Sequence, residues 1–378
     1  MAENTADDHG GTRMPPMEVA GRAARVWAAV ADRCDLFIVT KPANVRWLTG
    51  FTGSNGAVMV TADGLTVATD ARYGEQVVQQ LDEASVDATV VTQRDVLGAM
   101  LDIAGQQATV GLESHHVTWQ QRERAVDLLG PESVVPVERA VERARETKDA
   151  GELARLSRAA SIADRALGSV LADLPGSVTE RMIARRLEAT MIDLGADDVS
   201  FPTIVAAGPN SARPHAVPSD RELALGDLLV IDMGAAVDGY GSDMTRTFAV
   251  GSFTVETETM YRAVEAAQRA GVARVAAGVT TDAIDAACRA VLAERGLAEE
   301  FVHGTGHGIG LEIHETPFLG KTDPAELRAD HVVTVEPGVY RAGVGGVRIE
   351  DSVVVTADGC RPITNSPKDP TLGWRPAR

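Results

Sequence analysis

Two aspartates in the second half of the chain stand where a hairpin would bring them together. Asp232 ends the apolar run 228–231, and a run of this kind predicts a strand buried on both faces. Asp243 follows after the turn-forming stretch 238–241. Two carboxylates at close range need a cation between them or a shared proton. A surface turn with one ordinary Asp–Arg ion pair is the alternative interpretation of this segment taken alone.

A glycine-rich segment contains three of the eight histidines of the chain. His303 and His307 are four residues apart, as in helical zinc motifs, but glycine occupies every second position from 304 to 310. This pattern disfavours a helix and predicts an extended or looped backbone that passes close to a neighbour. His314 follows shortly after. One isolated histidine is more often a packing or surface residue, but three in this setting favour a functional site.

Two more carboxylates belong to strand patterns near the C-terminus. Glu336 ends the apolar run 332–335, and Pro337 stops the strand just beyond it. Arg348 and Glu350 alternate with apolar or acidic neighbours, so a strand would place both on one face. An arginine there would orient a ligand carboxylate or bind a developing anion, and an ordinary salt bridge within the strand is the alternative.

Four carboxylates and one imidazole are the ligand types of a catalytic metal site that is rich in oxygen. Such ligands are typical of a site for Mn²⁺, Co²⁺, Fe²⁺ or Zn²⁺ rather than of a structural zinc cage. Four negative charges exceed what one divalent ion balances, so we expect two ions and a metal-bound hydroxide near neutral pH. This is the machinery of a hydrolase. The candidate ligands are Asp232, Asp243, His307, Glu336 and Glu350.

The elements that position these residues belong to two domains, as the length of 378 residues suggests. The first half alternates helices and strands, which predicts an α/β layer fold. The predicted helices lie near 17–33, 72–82 and 95–105, and the predicted strands at 36–39, 57–61, 65–69, 88–92 and 108–112. The second half groups its strands and its helices, which is typical of α+β folds. Its predicted helices are 150–172, one from Ser177, 255–277 and 281–295, and its predicted strands are 201–207, 227–234, 243–249, 331–336 and 346–356.

Helix starts are visible in two places. The sequence Ser177-Val178-Thr179-Glu180 has the form of a capping box, which predicts a helix that begins there. Thr280 or Thr281 is the predicted N-cap of the helix at 281–295.

The charged stretch 137–149 has little apolar content and marks the domain boundary, so we expect domains at 17–146 and 147–378.

Composition excludes several classes of function. The net charge of −18 repels phosphate backbones, which disfavours a nucleic-acid partner. Three scattered cysteines without a CxxC pair predict reduced thiols rather than a disulfide framework. We find neither a run of membrane-spanning length nor a signal peptide, so we expect a soluble cytoplasmic protein. Residues 1–16 are acidic and contain glycine and proline, which predicts a disordered tail.

At the candidate ligands the sequence resembles the pita-bread metallopeptidases, the family of aminopeptidase P, prolidase and methionine aminopeptidase. The resemblance covers nearly the whole chain after the tail. It implies that Asp232 chelates one metal, that Asp243 and Glu350 bridge both, and that His307 and Glu336 bind the other. The implied metals are two divalent ions, with Mn²⁺ first and Co²⁺, Zn²⁺ or Fe²⁺ as alternatives.

The resemblance also implies roles for residues around the metals. His303 and His314 match histidines that surround the metals and bind substrate, and His215 matches a histidine near the scissile carbonyl. Arg348 matches an arginine of the proline-specific members. With Glu336 as the group that transfers the proton, these are the candidate catalytic residues.

Two motifs in the first half extend the resemblance. Residues 44–56 and 68–73 resemble the N-terminal domain of bacterial Xaa-Pro aminopeptidases. Methionine aminopeptidases lack this domain, and creatinase shares it but lacks the metal ligands. The implied fold is therefore α+β, with a C-terminal pita-bread metallopeptidase domain preceded by a smaller α/β creatinase-like domain.

The implied function is that of an Xaa-Pro aminopeptidase, which releases the N-terminal residue from peptides with proline in second position. A hydroxide that bridges the metals would attack the carbonyl carbon, and His215 and one metal would stabilise the oxyanion. An Xaa-Pro dipeptidase (prolidase) is the alternative, and it requires a cation for the free carboxylate of a two-residue substrate. A catalytically inactive pita-bread binding protein is a more remote alternative. Family members are commonly dimers or tetramers, so we expect a homo-oligomer.

Overall fold

The computed structural model of the protein describes residues 14–372 and Trp374. The chain divides into two compact units, Pro15–Arg145 and the residues from Glu146 on. The predicted disordered tail, 1–16, lies outside the described residues as far as residue 13. Helices and sheets occur in both units, in agreement with the predicted α+β class.

The N-terminal unit is built around a mixed six-stranded sheet with the order β4-β3-β2-β1-β5-β6. Strands β3–β4, β1–β5 and β5–β6 pair in parallel, and β1–β2–β3 form an antiparallel meander. In chain order the elements are α1 (Arg22–Val30), β1 (Leu36–Val39), α2 (Pro42–Thr49), β2 (Gly56–Thr61), β3 (Gly64–Thr69), α3 (Gly74–Glu83), β4 (Ala88–Thr92), α4 (Val96–Ala104), β5 (Val110–Glu113), α5 (Trp119–Leu129), β6 (Val134–Val137) and α6 (Ala140–Arg145).

The sequence did not predict three helices of this unit, α2, α5 and α6, the last of which falls in the charged stretch that marks the predicted domain boundary. In α5 only Ala125 and Leu129 are buried, so its apolar periodicity is too sparse to give a helical signal. Its start carries a local signal nevertheless, because Thr118 and Gln121 form a capping box. Helix α2 has eight residues, and Pro42 occupies its first turn, where a missing N–H costs nothing.

The C-terminal unit contains four long helices and two larger sheets. The helices are α7 (Ala150–Ala172), α8 (Glu180–Asp193), α9 (Val255–Arg274) and α10 (Thr281–Ala293). One sheet has the order β20-β12-β9-β8 and the other the order β14-β13-β15-β18-β19. The strands are β7 (Asp198–Val199), β8 (Ile204–Ala207), β9 (Leu228–Met233), β10 (Ala235–Val237), β11 (Tyr240–Gly241), β12 (Met244–Val250), β13 (Gly306–Gly308), β14 (Glu315–Leu319), β15 (Val332–Val335), β16 (Gly338–Arg341), β17 (Gly345–Arg348), β18 (Asp351–Val355), β19 (Cys360–Pro362) and β20 (Thr371–Leu372).

Each sheet is covered by one pair of helices, and each such layer has its own core. Helices α7 and α8 pack on β8, β9 and β12 through buried side chains such as Leu167, Leu187 and Ile231. Helices α9 and α10 pack on β15 and β18 through Val264, Ile284 and their neighbours. Burial of these apolar faces is the main force that holds helices on a sheet. The two sheets thereby become rigid supports for the side chains at their ends.

The capping box predicted from Ser177 to Glu180 does not form. Helix α8 begins at Glu180, and its N-cap is Thr179, whose Oγ1 accepts a hydrogen bond from the Met182 N–H at 3.2 Å. Ser177 instead donates its hydroxyl to Glu222. The prediction was wrong because Glu180 is buried and engaged elsewhere, as described below.

Helix α10 begins at the predicted position. Thr280 is its N-cap, but its side chain makes no capping hydrogen bond.

Among the described residues, no helix is both long and apolar enough to cross a membrane. The cysteines Cys34, Cys288 and Cys360 are free thiols.

Candidate active site

The antiparallel pair β9–β12 places the first two carboxylates. Asp232 lies opposite Thr245 in this pair, and Met233 lies opposite Met244, so the predicted pairing of these strands is confirmed. Asp243 immediately precedes β12, where its carbonyl oxygen accepts a hydrogen bond from the Ser352 hydroxyl at 2.7 Å. Both aspartates are therefore fixed at one end of the same sheet.

Glu350 reaches the two aspartates from the break between β17 and β18. Asp232, Asp243 and Glu350 each offer a carboxylate oxygen, and these oxygens all lie within 4.8 Å of one another. The Glu350 side chain is aimed by Thr245, whose hydroxyl donates to Glu350 Oε2 at 2.8 Å. Its backbone is held as well, because Arg246 donates to the Glu350 carbonyl oxygen. Three buried carboxylates thus converge on one point.

His307 and Glu336 complete the group from the second sheet. His307 Nε2 lies 3.6 Å from Asp243 Oδ2 and 3.4 Å from Glu336 Oε1. The other ring nitrogen, Nδ1, lies 3.0 Å from the carbonyl oxygen of Gly308, which can only accept a hydrogen bond. In the neutral imidazole the proton is therefore on Nδ1, and the lone pair of Nε2 points at the carboxylates. We call these five residues the ligand cluster: Asp232, Asp243, His307, Glu336 and Glu350.

The glycine pattern around His307 has a steric cause. A Cβ atom at Gly306 would lie 2.0 Å from the carbonyl oxygen of Thr334 in the neighbouring strand β15. Only glycine allows the two backbones to approach this closely. The predicted extended or looped backbone is confirmed, since residues 306–308 form β13 and no helix is present from 304 to 310.

Burial perturbs the ionisation of every member of the cluster. Burial, reinforced by repulsion from neighbouring carboxylates, raises the pKa of Asp243 and Glu350 well above their ordinary values. Burial also raises the pKa of Asp232. For Glu336 burial acts in the same direction, but the hydrogen bond with His307 and the charges of His307, Arg348 and His303 together outweigh it and lower the pKa. The same contact raises the pKa of His307 against the effect of burial.

These residues fit a divalent metal site. Two buried carboxylate oxygens, Asp232 Oδ1 and Glu350 Oε1, have no hydrogen-bond partner among the described residues. An unpaired carboxylate oxygen in a buried site costs several kcal/mol unless a cation neutralises it. Oxygen donors with one imidazole are the ligands that Mn²⁺, Co²⁺, Fe²⁺ and Zn²⁺ accept.

A network centred on Arg348 connects the cluster to two further residues. Arg348 donates to Asp232 Oδ2 at 2.6 Å, to the Thr245 hydroxyl at 3.0 Å and to the Tyr340 hydroxyl at 2.9 Å. Tyr340 in turn lies 2.9 Å from His303 Nε2. The network therefore joins His303 to the ligand Asp232 through two intervening side chains.

Sequence reasoning missed Thr245 and Tyr340. Thr245 stands two residues after Asp243 in a predicted strand, so the strand period of two could have placed it on the same face. Tyr340 carries no such signal, because Pro337 breaks the strand after Glu336 and starts a separate hairpin.

A cavity of about 680 Å³ opens over the cluster. Of the predicted site residues, only Glu350 is missing from its lining, since it lies deeper. The His314 ring packs edge-to-face on the His307 ring, with centroids 4.4 Å apart. His215 enters from the segment between β8 and β9. Apolar side chains, Phe201, Ile204, Val217, Ile313 and Phe318 among them, form much of the remaining wall.

Comparison with known families gives two matches. The model of metallopeptidase family M24 matches residues 154–357, and the creatinase/prolidase N-terminal domain matches residues 23–147. The first match contains the whole ligand cluster.

Individual relatives extend over nearly the whole chain. The Xaa-Pro dipeptidase of Pyrococcus furiosus is 31% identical over 336 residues, which is 89% of this chain and 94% of that protein. The structure of an Xaa-Pro dipeptidase from Bacillus anthracis superposes with a TM-score of 0.87 at 34% identity, covering 93% of this chain and 99% of the other. An X-Pro aminopeptidase structure from Thermotoga maritima gives a TM-score of 0.82 at 32% identity, with coverage of 92% and 99%.

Proposed function

The chain belongs to metallopeptidase family M24, with a creatinase-like N-terminal domain and a pita-bread catalytic domain, and we propose that it is an Xaa-Pro dipeptidase. The dipeptidase names among its relatives support this choice over the aminopeptidase, which the sequence favoured. The observation that carries a hydrolytic function is the ligand cluster itself, whose five side chains converge and of which four line one cavity.

The ligand cluster would hold two divalent cations, with Mn²⁺ as the proposed ion. Such cations supply Lewis acidity, which activates water and polarises the scissile carbonyl. The chain's own groups orient the ligands. Thr245 aims Glu350, and Arg348 holds Asp232. His307 keeps the tautomer that presents Nε2.

Residues around the cluster would handle the substrate. Glu336 is the least enclosed carboxylate of the cluster and lines the cavity, so it is placed to accept a proton and return it to the leaving nitrogen. His215 and His303 also line the cavity, and we assign them to stabilisation of the carbonyl oxygen of the substrate. His314 is assigned to substrate contact.

The peptide bond that the proposed enzyme cleaves has no N–H group, so the site needs no hydrogen-bond acceptor for one. A peptide bond before proline is a tertiary amide with no hydrogen to donate. The largely apolar wall accepts the pyrrolidine ring and an apolar first side chain without leaving polar groups unpaired.

The aminopeptidase remains a second candidate on a specific observation. A dipeptidase needs a cation for the substrate's free carboxylate, and Arg348 is the arginine in the described cavity lining. Its guanidinium already donates four hydrogen bonds, to the side chains of Thr245, Tyr340 and Asp232 and to the carbonyl of Pro214. These hydrogen bonds restrain the Arg348 side chain, so it is not well placed to bind the carboxylate of a substrate.

Hydrolysis of a matched peptide set would separate the candidates. Metal-depleted protein would be reloaded with Mn²⁺, Co²⁺ or Zn²⁺ and given Met-Pro, the amide Met-Pro-NH₂, Met-Pro-Ala and Met-Ala-Ala. A dipeptidase cleaves Met-Pro and rejects the amide and the tripeptide, since both lack the carboxylate at that position. Cleavage of the tripeptide with slow Met-Pro turnover would establish the aminopeptidase. If no peptide is cleaved with any metal, an inactive binding protein is the remaining interpretation.

We also propose a homodimer or homotetramer, and a cytoplasmic location stays a prediction. Light scattering coupled to size exclusion tests the assembly. The mass of one 39.8 kDa chain in solution would contradict it.

A further inference from the structure

Glu180 is a buried carboxylate that the proposed chemistry does not use. It occupies the first position of α8 and is 0% exposed. An ionised side chain at such a site must be satisfied by donors, and its partners show what it holds.

Both ends of one cavity loop bind this carboxylate. Oxygen Oε1 accepts from the Ala207 N–H at 2.7 Å and from the Asn210 amide at 3.0 Å. Oxygen Oε2 accepts from the Ser219 N–H at 2.9 Å and from the Ser219 hydroxyl at 2.6 Å. We call residues 208–219 the His215 loop. One carboxylate therefore closes this loop at its base.

The first residue of the loop is also sterically fixed. Gly208 has a φ of +53°, and a Cβ atom there would lie 2.4 Å from the Asp227 carboxylate. Glycine is thus required both by the backbone angle and by the space.

The middle of the loop reaches the ligand cluster. Ser211 Oγ accepts from the Gly346 N–H at 2.9 Å, which ties the loop to β17. Arg348, at the end of β17, donates to the carbonyl oxygen of Pro214 at 3.1 Å and to Asp232 at 2.6 Å. His215 follows Pro214 directly, so its place over the cavity depends on these backbone anchors.

We propose that Glu180 is a positioning residue that acts through His215. It fixes both ends of the His215 loop, and the loop holds the imidazole at the distance that oxyanion stabilisation requires. The inference rests on the proposed function, because it takes His215 to contact the substrate carbonyl. Small displacements of a catalytic group cost large factors in rate, so an unclamped loop lowers kcat.

Two substitutions at Glu180 separate charge from shape. Glu180→Gln keeps the size but turns an NH₂ donor toward donors at one end of the loop, and Glu180→Ala removes both acceptors. Ser219→Ala is a milder variant that deletes one donor and leaves the carboxylate in place. Asp220→Asn is the control, since its side chain is 81% exposed and pairs only with Arg181 among the described residues.

Kinetics with the Xaa-Pro substrate would be measured for each variant and for His215→Ala alone and combined with Glu180→Gln. We expect Glu180→Gln to lower kcat about tenfold or more, with KM changed far less, and His215→Ala to lower it about 100-fold. The double variant should be no slower than His215→Ala, since Glu180 has nothing left to position. Asp220→Asn should stay within about twofold of the parent protein.

Amide hydrogen exchange gives a readout that does not depend on activity. Exchange within 208–219 should rise at least about tenfold in Glu180→Ala and measurably in Ser219→Ala, but not in Asp220→Asn. Unchanged exchange in Glu180→Ala would show that Glu180 does not fix the His215 loop, and this result does not require that any Xaa-Pro peptide is cleaved. If the kcat losses of the single variants multiply in the double variant, Glu180 does not act through His215. A His215→Ala protein with full kcat would also overturn the proposal, while Xaa-Pro hydrolysis by the parent protein would leave the proposed function standing.

Discussion

Single hydroxyl groups decide how the carboxylates of the cluster are aimed. Thr245 accepts a hydrogen bond from Arg348 and donates one to Glu350, so its hydroxyl connects the buried guanidinium group to a carboxylate of the cluster. Groups that orient ligands in this way tune both metal affinity and reactivity. The geometry of the cluster therefore depends on residues outside the proposed ligand set.

Replacing Thr245 by valine tests this dependence. Valine keeps the branched shape and removes the hydroxyl, so Glu350 loses its donor and Arg348 loses an acceptor. We expect a loss of about 10- to 100-fold in metal affinity or in kcat/KM, measured by metal titration and by peptide hydrolysis. Thr259→Val, on the exposed face of α9, is the matched control. Equal affinity and activity in the two variants would contradict the role of Thr245.

His331 makes the stability of the C-terminal unit dependent on pH. It is 1% exposed, and burial, with smaller contributions from Lys148 and Arg328, lowers its pKa to about 4. The unfolded chain binds this proton near the ordinary value of 6.5, so stability is present above that pH and is lost as the pH falls toward 4.

Replacing His331 by glutamine should remove this dependence. Between about pH 7.5 and pH 5 the histidine accounts for a loss on the order of 2 kcal/mol, or roughly 4–8 °C in Tm. Thermal unfolding of both proteins at the two pH values measures the difference. A parallel fall of Tm in parent and variant would show that His331 does not titrate as described.

At the scale of elements, the site depends on how closely strands approach one another. Strand β13 passes β15 at a distance that only Gly306 allows. His307 of the ligand cluster is the next residue, so an outward shift of β13 would move the imidazole away from Asp243 and Glu336.

Gly306→Ala should therefore impair both stability and activity. We expect a destabilisation of about 1–3 kcal/mol and a loss of metal affinity, because the backbone must move to make room for a methyl group. Gly168→Ala is the control, since a Cβ atom at this position in α7 meets nothing within 4 Å. That change should stabilise the protein by about 0.5–1 kcal/mol. Isothermal titration and chemical denaturation distinguish the two outcomes.

Much of the element order could be predicted from periodicity, and the exceptions have physical causes. The apolar runs before Asp232 and Glu336 and the long amphipathic helix α7 carry strong signals, because each buries a continuous face. Helix α5 buries only two side chains and gives none. Glu180 has the spacing of a capping residue, but in the fold it accepts hydrogen bonds from the two ends of the His215 loop instead. Periodicity reports burial along one element, whereas Glu180 and Tyr340 are placed by partners distant in sequence.

At the scale of the whole molecule, metal binding should add to folding stability. The cluster gathers carboxylates whose pKa values are raised by burial, so cations that bind the folded state alone stabilise it by mass action. At a free Mn²⁺ concentration 100 times Kd the gain is about 2.7 kcal/mol for each independent site.

Calorimetry with and without a chelator measures this gain. We expect Tm to rise with Mn²⁺ and to return when the metal is removed, and Asp243→Asn should abolish most of the shift. Mg²⁺ at the same concentration serves as the ionic control, because it binds imidazole-containing sites poorly. A Tm independent of Mn²⁺ would contradict a metal site at this cluster.

The ligands come from both larger sheets of the C-terminal unit, and this has a consequence for biosynthesis. Asp232 lies in β9 and Asp243 directly precedes β12, whereas His307 lies in β13 and Glu336 directly follows β15. During translation the two aspartates leave the ribosome before His307, Glu336 and Glu350, so we expect the acidic end of the first sheet to lack these partners until they emerge. We expect the joining of the two sheet ends to be a late folding step, because it closes a long loop. If the cluster binds its metal only when both sheet ends have met, we expect metal supply during synthesis to influence how much of the newly made chain folds completely.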